Sequence, residues 1–402
     1  MPKPLAAVVL AAGQGKRMRA PVPKVLVQAC GRSMVEWVLE ALRPLEPRTT
    51  VVVYGHGGDA VKEALRGRDL AFAHQPEQRG TGHAVQCALP ALKGFDGDVL
   101  VLCGDTPLLT TEVLKELVDG HRPAKRDLTV LCAELTDPGS AGSLLRGPGG
   151  GVREIREAAD ASPKEREVRE INTGVILVDY GLLEVALGRL TPDNTQGEYY
   201  LTDVPKLLLR DGKAVDARMT RDETSALGVN RPQELAEAVR VLRRRAVERL
   251  LAEGVRMEDP GTVLMDAGVE VAPGTALGPF VHLGRDVRVG KDCRVGPFAV
   301  LGPGVVVGDG VVLGPHVELS GCTVDAGATV AGPARLHGAA VGPGARIGPG
   351  VSTDGDGRVV IGEKASIGAG SVLHAPVTVK ERAVVKPGSV LTQGQGGGSG
   401  TG

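Results

Sequence analysis

The sequence predicts an α/β domain built on a mainly parallel sheet, then one long helix, then a solenoid of six-residue repeats. Three observations carry this. Short apolar runs alternate with helical patterns over residues 1–228, which implies a sheet covered on both faces. Leu235, Val239, Leu242, Ala246 and Leu250 make an apolar stripe at helical spacing through 231–253. From about residue 265 the apolar period becomes six, the mark of a repeat architecture.

In the first stretch, Ala6–Leu10, Thr49–Tyr54, Leu70–His74, Val99–Cys103, Leu128–Cys132 and Gly174–Val178 read as strands. Met34–Leu42, Gly58–Arg66, Gly82–Leu92 and Thr110–Asp119 read as helices. Ligands of such sheets bind beyond the carboxyl ends of the strands, so loops after Leu10 and Cys103 belong to one functional edge. For the long helix, Asn230 is a candidate cap, Pro232 suits the first turn and Gly254 the stop. Arg243, Arg244 and Arg245 read as solvated surface.

In the repeats, Leu277, Leu283, Val289, Val295, Leu301, Val307, Leu313 and Leu319 fall at six-residue steps, and all but the last precede glycine. After slips at Val324 and Val341 the pattern resumes at Ile361, Ile367, Leu373, Val379 and Val385. One short strand per repeat, with one aliphatic residue inward, accounts for this. It resembles the hexapeptide left-handed parallel β-helix, whose members are usually trimers. The expected domains are therefore 1–228, a linker helix over 229–256, a β-helix over 257–393 and a flexible glycine-rich tail over 394–402.

Composition excludes several functions. The 47 Lys and Arg nearly balance the 48 Asp and Glu of the 402 residues, so no strong field recruits nucleic acid or anionic membrane. Aromatics are 2%, too few for a base-stacking platform. No uninterrupted apolar run is long enough to span a bilayer. The chain enters a strand without a signal peptide, and the cytoplasm is the expected compartment. Cys30, Cys87, Cys103, Cys132, Cys293 and Cys322 are scattered, with no C-x-x-C pair; they read as free thiols rather than a zinc site.

The chemistry begins at Leu10-Ala11-Ala12-Gly13-Gln14-Gly15-Lys16-Arg17-Met18, with Pro23-Lys24-Val25-Leu26 shortly after. Glycines after a strand let backbone N–H groups approach an anion. Arg17 and Lys24 supply countercharge for a polyphosphate. The spacing fits neither the P-loop nor the G-x-G-x-x-G pattern.

The complete string resembles the signature of sugar-1-phosphate nucleotidylyltransferases. Tyr54-Gly55-His56-Gly57-Gly58, Gln75–Ala84, Gly104-Asp105-Thr106-Pro107-Leu108, Glu170-Ile171-Asn172-Thr173-Gly174 and Gln196–Asp203 follow in order. Together they resemble the bacterial bifunctional N-acetylglucosamine-1-phosphate uridylyltransferase / glucosamine-1-phosphate N-acetyltransferase family. The resemblance implies a Rossmann-like nucleotidyltransferase domain in front of the β-helix. It implies uridylyl transfer from UTP to N-acetylglucosamine-1-phosphate for cell-wall precursor synthesis, in a homotrimer.

The attacking phosphate oxygen is already anionic, so the site must neutralise and align charge rather than supply a base. Arg17 and Lys24 are the catalytic candidates. Asp105, after a strand at the ligand edge, suits Mg²⁺, and the resemblance implies Asn230 as the second ligand. Leu10, Ala12 and Gly13 are assigned to the nucleotide. Gln75 is a candidate base reader, because a primary amide matches an N–H beside a carbonyl; Gly80 and Thr81 are implied as backbone contacts. Gly142, Glu157, Asn172 and Thr202 match the family's sugar-binding positions. Two departures touch that side: Ser140-Ala141-Gly142-Ser143 replaces Gly-Tyr-Gly-Arg, and Glu157-Ala158-Ala159-Asp160-Ala161 replaces Glu-His-Lys-Asp-Ala.

The acetyltransferase motifs are shortened. Ala334-Arg335-Leu336-His337-Gly338 runs almost directly to Ile347-Gly348, without the family's Lys and Tyr, and Ser352-Thr353-Asp354-Gly355 stands for its Asn-Tyr-Asp-Gly loop. Arg335 and His337 are candidate remnants of a site for acetyl-CoA. Alternative readings are a fully bifunctional enzyme, a transferase for another sugar-1-phosphate, and a nucleotide-sugar-binding regulator without turnover.

Overall fold

The structure is a computed structural model that describes residues 3–139 and 141–393. The expected tail over 394–402 lies outside the described residues. The chain divides into two compact units, one of residues 1–29 and 33–241, the other of 30–32 and 242–402.

The first unit is the predicted α/β sheet. Its elements are β1 (Leu5–Ala11), α1 (Met34–Leu42), β2 (Thr49–Tyr54), α2 (Gly58–Ala64), β3 (Ala71–His74), α3 (Thr81–Ala88), β4 (Asp98–Cys103), α4 (Thr111–His121), β5 (Leu128–Glu134), β6 (Ser143–Arg146), β7 (Val152–Arg156), β8 (Glu170–Asp179), α5 (Tyr180–Leu187), α6 (Val204–Arg210) and β9 (Val215–Met219). The strand order is β9-β5-β8-β4-β1-β2-β3. All neighbours are parallel except β8, which runs antiparallel to both β4 and β5. The β6–β7 hairpin attaches to β8.

Alternation along β1 sorts its side chains into two cores. Leu5, Ala7 and Val9 pack with Val35 and Val38 of α1 and Leu114 and Leu117 of α4. Ala6 and Val8 pack with Ala84 and Val85 of α3 and Leu183 and Leu187 of α5. A strand buried on both faces reads as a continuous apolar run, which is why Ala6–Leu10 was legible. Helix starts follow local chemistry: Ser33 and Glu36 form a capping box on α1, and the Thr110 hydroxyl accepts from the Val113 N–H on α4.

The sequence reading passed over the β6–β7 hairpin, β9, α5 and α6. β6 and β7 are short and carry Arg146, Arg153 and Arg156 among their apolar residues, so their alternation is weak. A further helix, α7 (Pro232–Ala252), follows the predicted stripe.

The second unit is a left-handed parallel β-helix. Its two- to four-residue strands form three parallel ladders. In most, the outward residue is exposed and the inward one buried, as at Val300 and Leu301. Leu277 pairs with Val295 and Val295 with Leu313, three hexads per coil. The slips at Val324 and Val341 are each one residue short of a hexad, at Gly321 and Gly338, both with φ of 60°, and a longer step follows Thr353. Leu313 pairs with Val330, one residue short of three hexads, where the corner tightens at Gly321 with φ of 60°. Val341 pairs with Ile361, two residues over, because Gly355 and Gly357, with φ of 83° and 125°, open a small loop. The ladders keep register across all three.

Candidate active site

Every candidate of the nucleotidyl chemistry lies on the first unit, around the carboxyl ends of β1 and β4. The Gly104 N–H donates to the Leu10 carbonyl at 2.9 Å, locking the two strand ends together. A Cβ at Gly104 would meet that carbonyl at 3.0 Å, so this close approach favours glycine. The next residue, Asp105, is thereby placed beside the Gly13–Arg17 turn. That turn closes through Gly15, which has φ of 61° and packs directly on the Lys24 side chain.

Lys24 is the hub. Its ammonium forms an ion pair with Asp105 and donates to Asn230 Oδ1 at 2.9 Å. Arg17 donates to the same Oδ1 at 3.2 Å. The Lys24 and Asp105 side chains are only 11% and 21% exposed, so this charge pair is little screened by solvent.

Asn230 was a candidate helix cap, and here the structure differs. The Glu234 carboxylate instead accepts from the Asn230 and Arg231 N–H groups, at 2.6 and 3.0 Å. Glutamate thus satisfies the helix start and leaves the asparagine oxygen aimed at the site. The Val229 N–H donates to the Asp105 carbonyl at 2.9 Å and keeps the two segments adjacent.

Asp105 Oδ2 and Asn230 Oδ1 therefore face one point, occupied by a cationic nitrogen. Two oxygens converging on a cation position fit Mg²⁺, which takes few protein ligands beside substrate phosphates. Among the described residues no group of three His, Cys, Asp or Glu is arranged for a metal, so a closed all-protein cage is not present there.

Three clefts meet at this hub. One, of about 500 Å³, is lined by Leu10, Ala12, Gly13, Gln75, Gly80, Thr81 and Asp105. A second, of about 420 Å³, holds Gly142, Glu157, Asn172 and Thr202 with Asp105 and Asn230. The widest, of about 870 Å³, is lined by four cations, Lys16, Arg17, Lys24 and Arg166, against Glu157 and Glu198. Sequence reasoning missed Lys16, Arg166, Glu198 and Gln78; the last accepts from Gln14 Nε2 at 3.0 Å across the turn. Lys16 and Gln78 stand inside quoted motifs. Arg166 carries no motif signal.

On the sugar-matching side, Thr202 Oγ1 donates to Glu157 at 2.9 Å, the Asn172 N–H donates to the Gly142 carbonyl at 2.8 Å, and Asn172 Oδ1 accepts from Gly174 at 3.1 Å. Burial pushes the Glu157 carboxyl above the usual carboxylate range; the Thr202 bond opposes this, and the nearby Asp160, Asp203 and Glu198 add to it. A raised native pKa contributes stability below the unfolded pKa that is lost as pH rises through the native one. Glu157→Gln is therefore expected to raise Tm at neutral pH, with the gain shrinking as the buffer is taken below the ordinary glutamate range. The same change should raise KM for the sugar phosphate. A pH series of melting curves checks the first effect and initial rates the second.

Cys103 lies between two of the clefts. Burial, with Asp105 adding to it, pushes its thiol up to about 12, so it stays protonated and is no nucleophile.

The two β-helix candidates are not gathered into a comparable site. Arg335 donates to Glu318 at 2.8 Å, with both side chains exposed. His337 is exposed, and its described hydrogen bonds are backbone bonds to Thr353. On neighbouring strands of the same ladder, the His374 ring lies against the Asp354 carboxylate, and the motifs did not flag the histidine.

Residues 7–171 match the MobA-like NTP transferase domain, residues 286–321 the bacterial transferase hexapeptide (six repeats), and 358–393 the hexapeptide repeat of succinyl-transferase. The chain thus joins an NTP transferase domain to hexapeptide repeats. Its curated relatives include proteins named "Bifunctional protein GlmU". That of Pelobacter propionicus is 44% identical over 68% of this chain and 60% of its own length. That of Streptomyces avermitilis is 46% identical over 68% and 59%, and that of Thermobifida fusca 43% over 67% and 57%. The resemblance read from the motifs stands, and the chain spans about 60% of the length of the relatives it matches. Among the described residues no helix is long and apolar enough to cross a membrane.

Proposed function

We propose that this chain transfers a uridylyl group from UTP to N-acetylglucosamine-1-phosphate, giving UDP-N-acetylglucosamine and pyrophosphate for cell-wall precursor synthesis in the cytoplasm. The observation that carries this reading is the Lys24 ammonium held between Asp105 and Asn230 Oδ1, with Arg17 on the same oxygen, at the foot of a glycine turn. The likeness to the GlmU proteins supports the choice of nucleotide and sugar.

A phosphate oxygen of the sugar phosphate attacks the α-phosphorus, and the bond to the pyrophosphate oxygen breaks. The nucleophile is already deprotonated, so no side chain takes a proton. The barrier is repulsion between two anions. Arg17 and Lys24 lower it by countercharge, and the Gly13–Gly15 backbone lets the triphosphate approach closely. Mg²⁺, held by Asp105 and Asn230, supplies further charge neutralisation when bound. Leu10 and Ala12 wall the nucleotide cleft, and Gln75, Gly80 and Thr81 contact the base. Gly142, Glu157, Asn172 and Thr202 hold the sugar. Assembly is a homotrimer through the β-helix.

The second reading, full bifunctionality with acetyl-CoA, draws on the hexapeptide repeats and the relatives' name. It is disfavoured by the exposed Arg335–Glu318 pair and the exposed His337. The test is to incubate the protein with Mg²⁺, UTP and a panel of sugar-1-phosphates and to follow pyrophosphate release. Release is expected with N-acetylglucosamine-1-phosphate ahead of the other sugars. No release with any sugar would refute the reading. Thiol release from acetyl-CoA with glucosamine-1-phosphate is expected to be weak or absent, and robust release would establish the second reading.

A further inference from the structure

We propose that His83 is a positioning residue that fixes which atoms Gln75 offers the base, so that the site selects a base with an N–H beside a carbonyl. This rests on the uridylyl reading above. Gln75 is 3% exposed and shares its cleft with Gly80 and Thr81. Its Nε2 donates to the Gly80 carbonyl at 3.1 Å and lies 3.1 Å from His83 Nδ1.

A carbonyl only accepts, so Gly80 sets the nitrogen at that end of the amide. The second amide hydrogen then points at Nδ1, which accepts it when bare. In this arrangement the ring proton is on Nε2, which is 3.9 Å from Cys87 Sγ. A proton on Nδ1 would instead reach the Glu77 carbonyl, also 3.1 Å away, and would leave two donors facing each other at Gln75; the proposed state is the bare nitrogen, with that carbonyl oxygen as the one acceptor against it.

Both amide hydrogens are therefore consumed inside the protein. Gln75 Oε1 has no hydrogen-bond partner among the described residues, nor do the Gly80 and Thr81 N–H groups donate to any. On this reading the amide answers one base group, where the sequence alone suggested both. Oε1 accepts the N3–H of uracil, and its O4 falls to the backbone N–H groups. Cytosine meets both with the wrong sign, acceptor on acceptor and donor on donor, which discriminates strongly. The signal in the sequence was His83 within the Gln75–Ala84 motif, eight residues from the glutamine it holds.

The experiment compares kcat/KM for UTP and CTP in the intact protein, His83→Leu and His83→Asn. Wild type is expected to prefer UTP. Leucine removes the acceptor of the second amide hydrogen and leaves Gly80 alone to hold the amide, so the UTP/CTP ratio is expected to fall about tenfold, the worth of one hydrogen bond. Asparagine places a carbonyl oxygen near the Nδ1 position and is expected to restore most of the ratio, which a merely structural histidine would not require. An unchanged ratio in His83→Leu, or equal loss in both variants, overturns the proposal while the uridylyl reading survives. Failure of wild type to use any nucleotide overturns both. Nitrogen-15 NMR of the wild-type ring gives a check independent of variants: a proton on Nε2 is expected, and one on Nδ1 contradicts the proposal.

Discussion

Asp105→Asn is expected to lower pyrophosphate release by on the order of 10²–10³-fold, the usual cost of removing one preorganised electrostatic group, with little change in fold. Asparagine keeps the shape and an oxygen at the same position but removes the charge. What is lost is the counterion of Lys24 and the anionic ligand facing Asn230 Oδ1. Lys24→Ala is expected to be as severe, because Lys24 contacts both Asp105 and Asn230 and lines two of the clefts. Far-ultraviolet circular dichroism should overlay wild type in both variants, since Gly104 and Leu10 hold the strand ends through backbone. Rates near wild type in either variant would remove these residues from the site.

The second large effect is on stability. Leu301→Ala is expected to destabilise the β-helix by about 2–5 kcal/mol, the range for a large aliphatic side chain truncated in a close-packed core. Leu301 is fully buried and pairs with Leu283 and Leu319 on adjacent coils. In a stacked solenoid each coil leans on its neighbours, so a cavity there weakens two interfaces. The outward neighbour Val300 is 39% exposed, and Val300→Ala serves as the control with a small effect. Chemical denaturation of the two variants separates them. Equal destabilisation would mean that the inward and outward assignment is wrong.

How far the sequence reveals this molecule depends on whether a feature is local. β1, β2 and α1 were legible because a doubly buried strand is an apolar run and a helix start is a short motif. The coils were legible because one hexad restates the next. The β6–β7 hairpin was not, because its few apolar residues are interspersed with charged ones, and the partner of Arg146, Glu170, lies on β8, which no local pattern connects to it. At the site, glycine turns and their charged residues announce themselves by spacing. The division of labour between Asn230 and Glu234 does not: both suit a helix start, and only the fold shows the glutamate capping and the asparagine turned inward. Likewise the amide of Gln75 is visible in sequence, but its orientation depends on Gly80 and His83.

The most direct measurement is a crystal structure with a non-hydrolysable UTP analogue and Mn²⁺, the ion located by its anomalous scattering. The account predicts an anomalous peak between Asp105 and Asn230, the triphosphate along Gly13–Arg17 with Lys24 on it, and the base beside Gln75. An ion bound elsewhere, with the triphosphate away from Arg17 and the glycine turn, would contradict it.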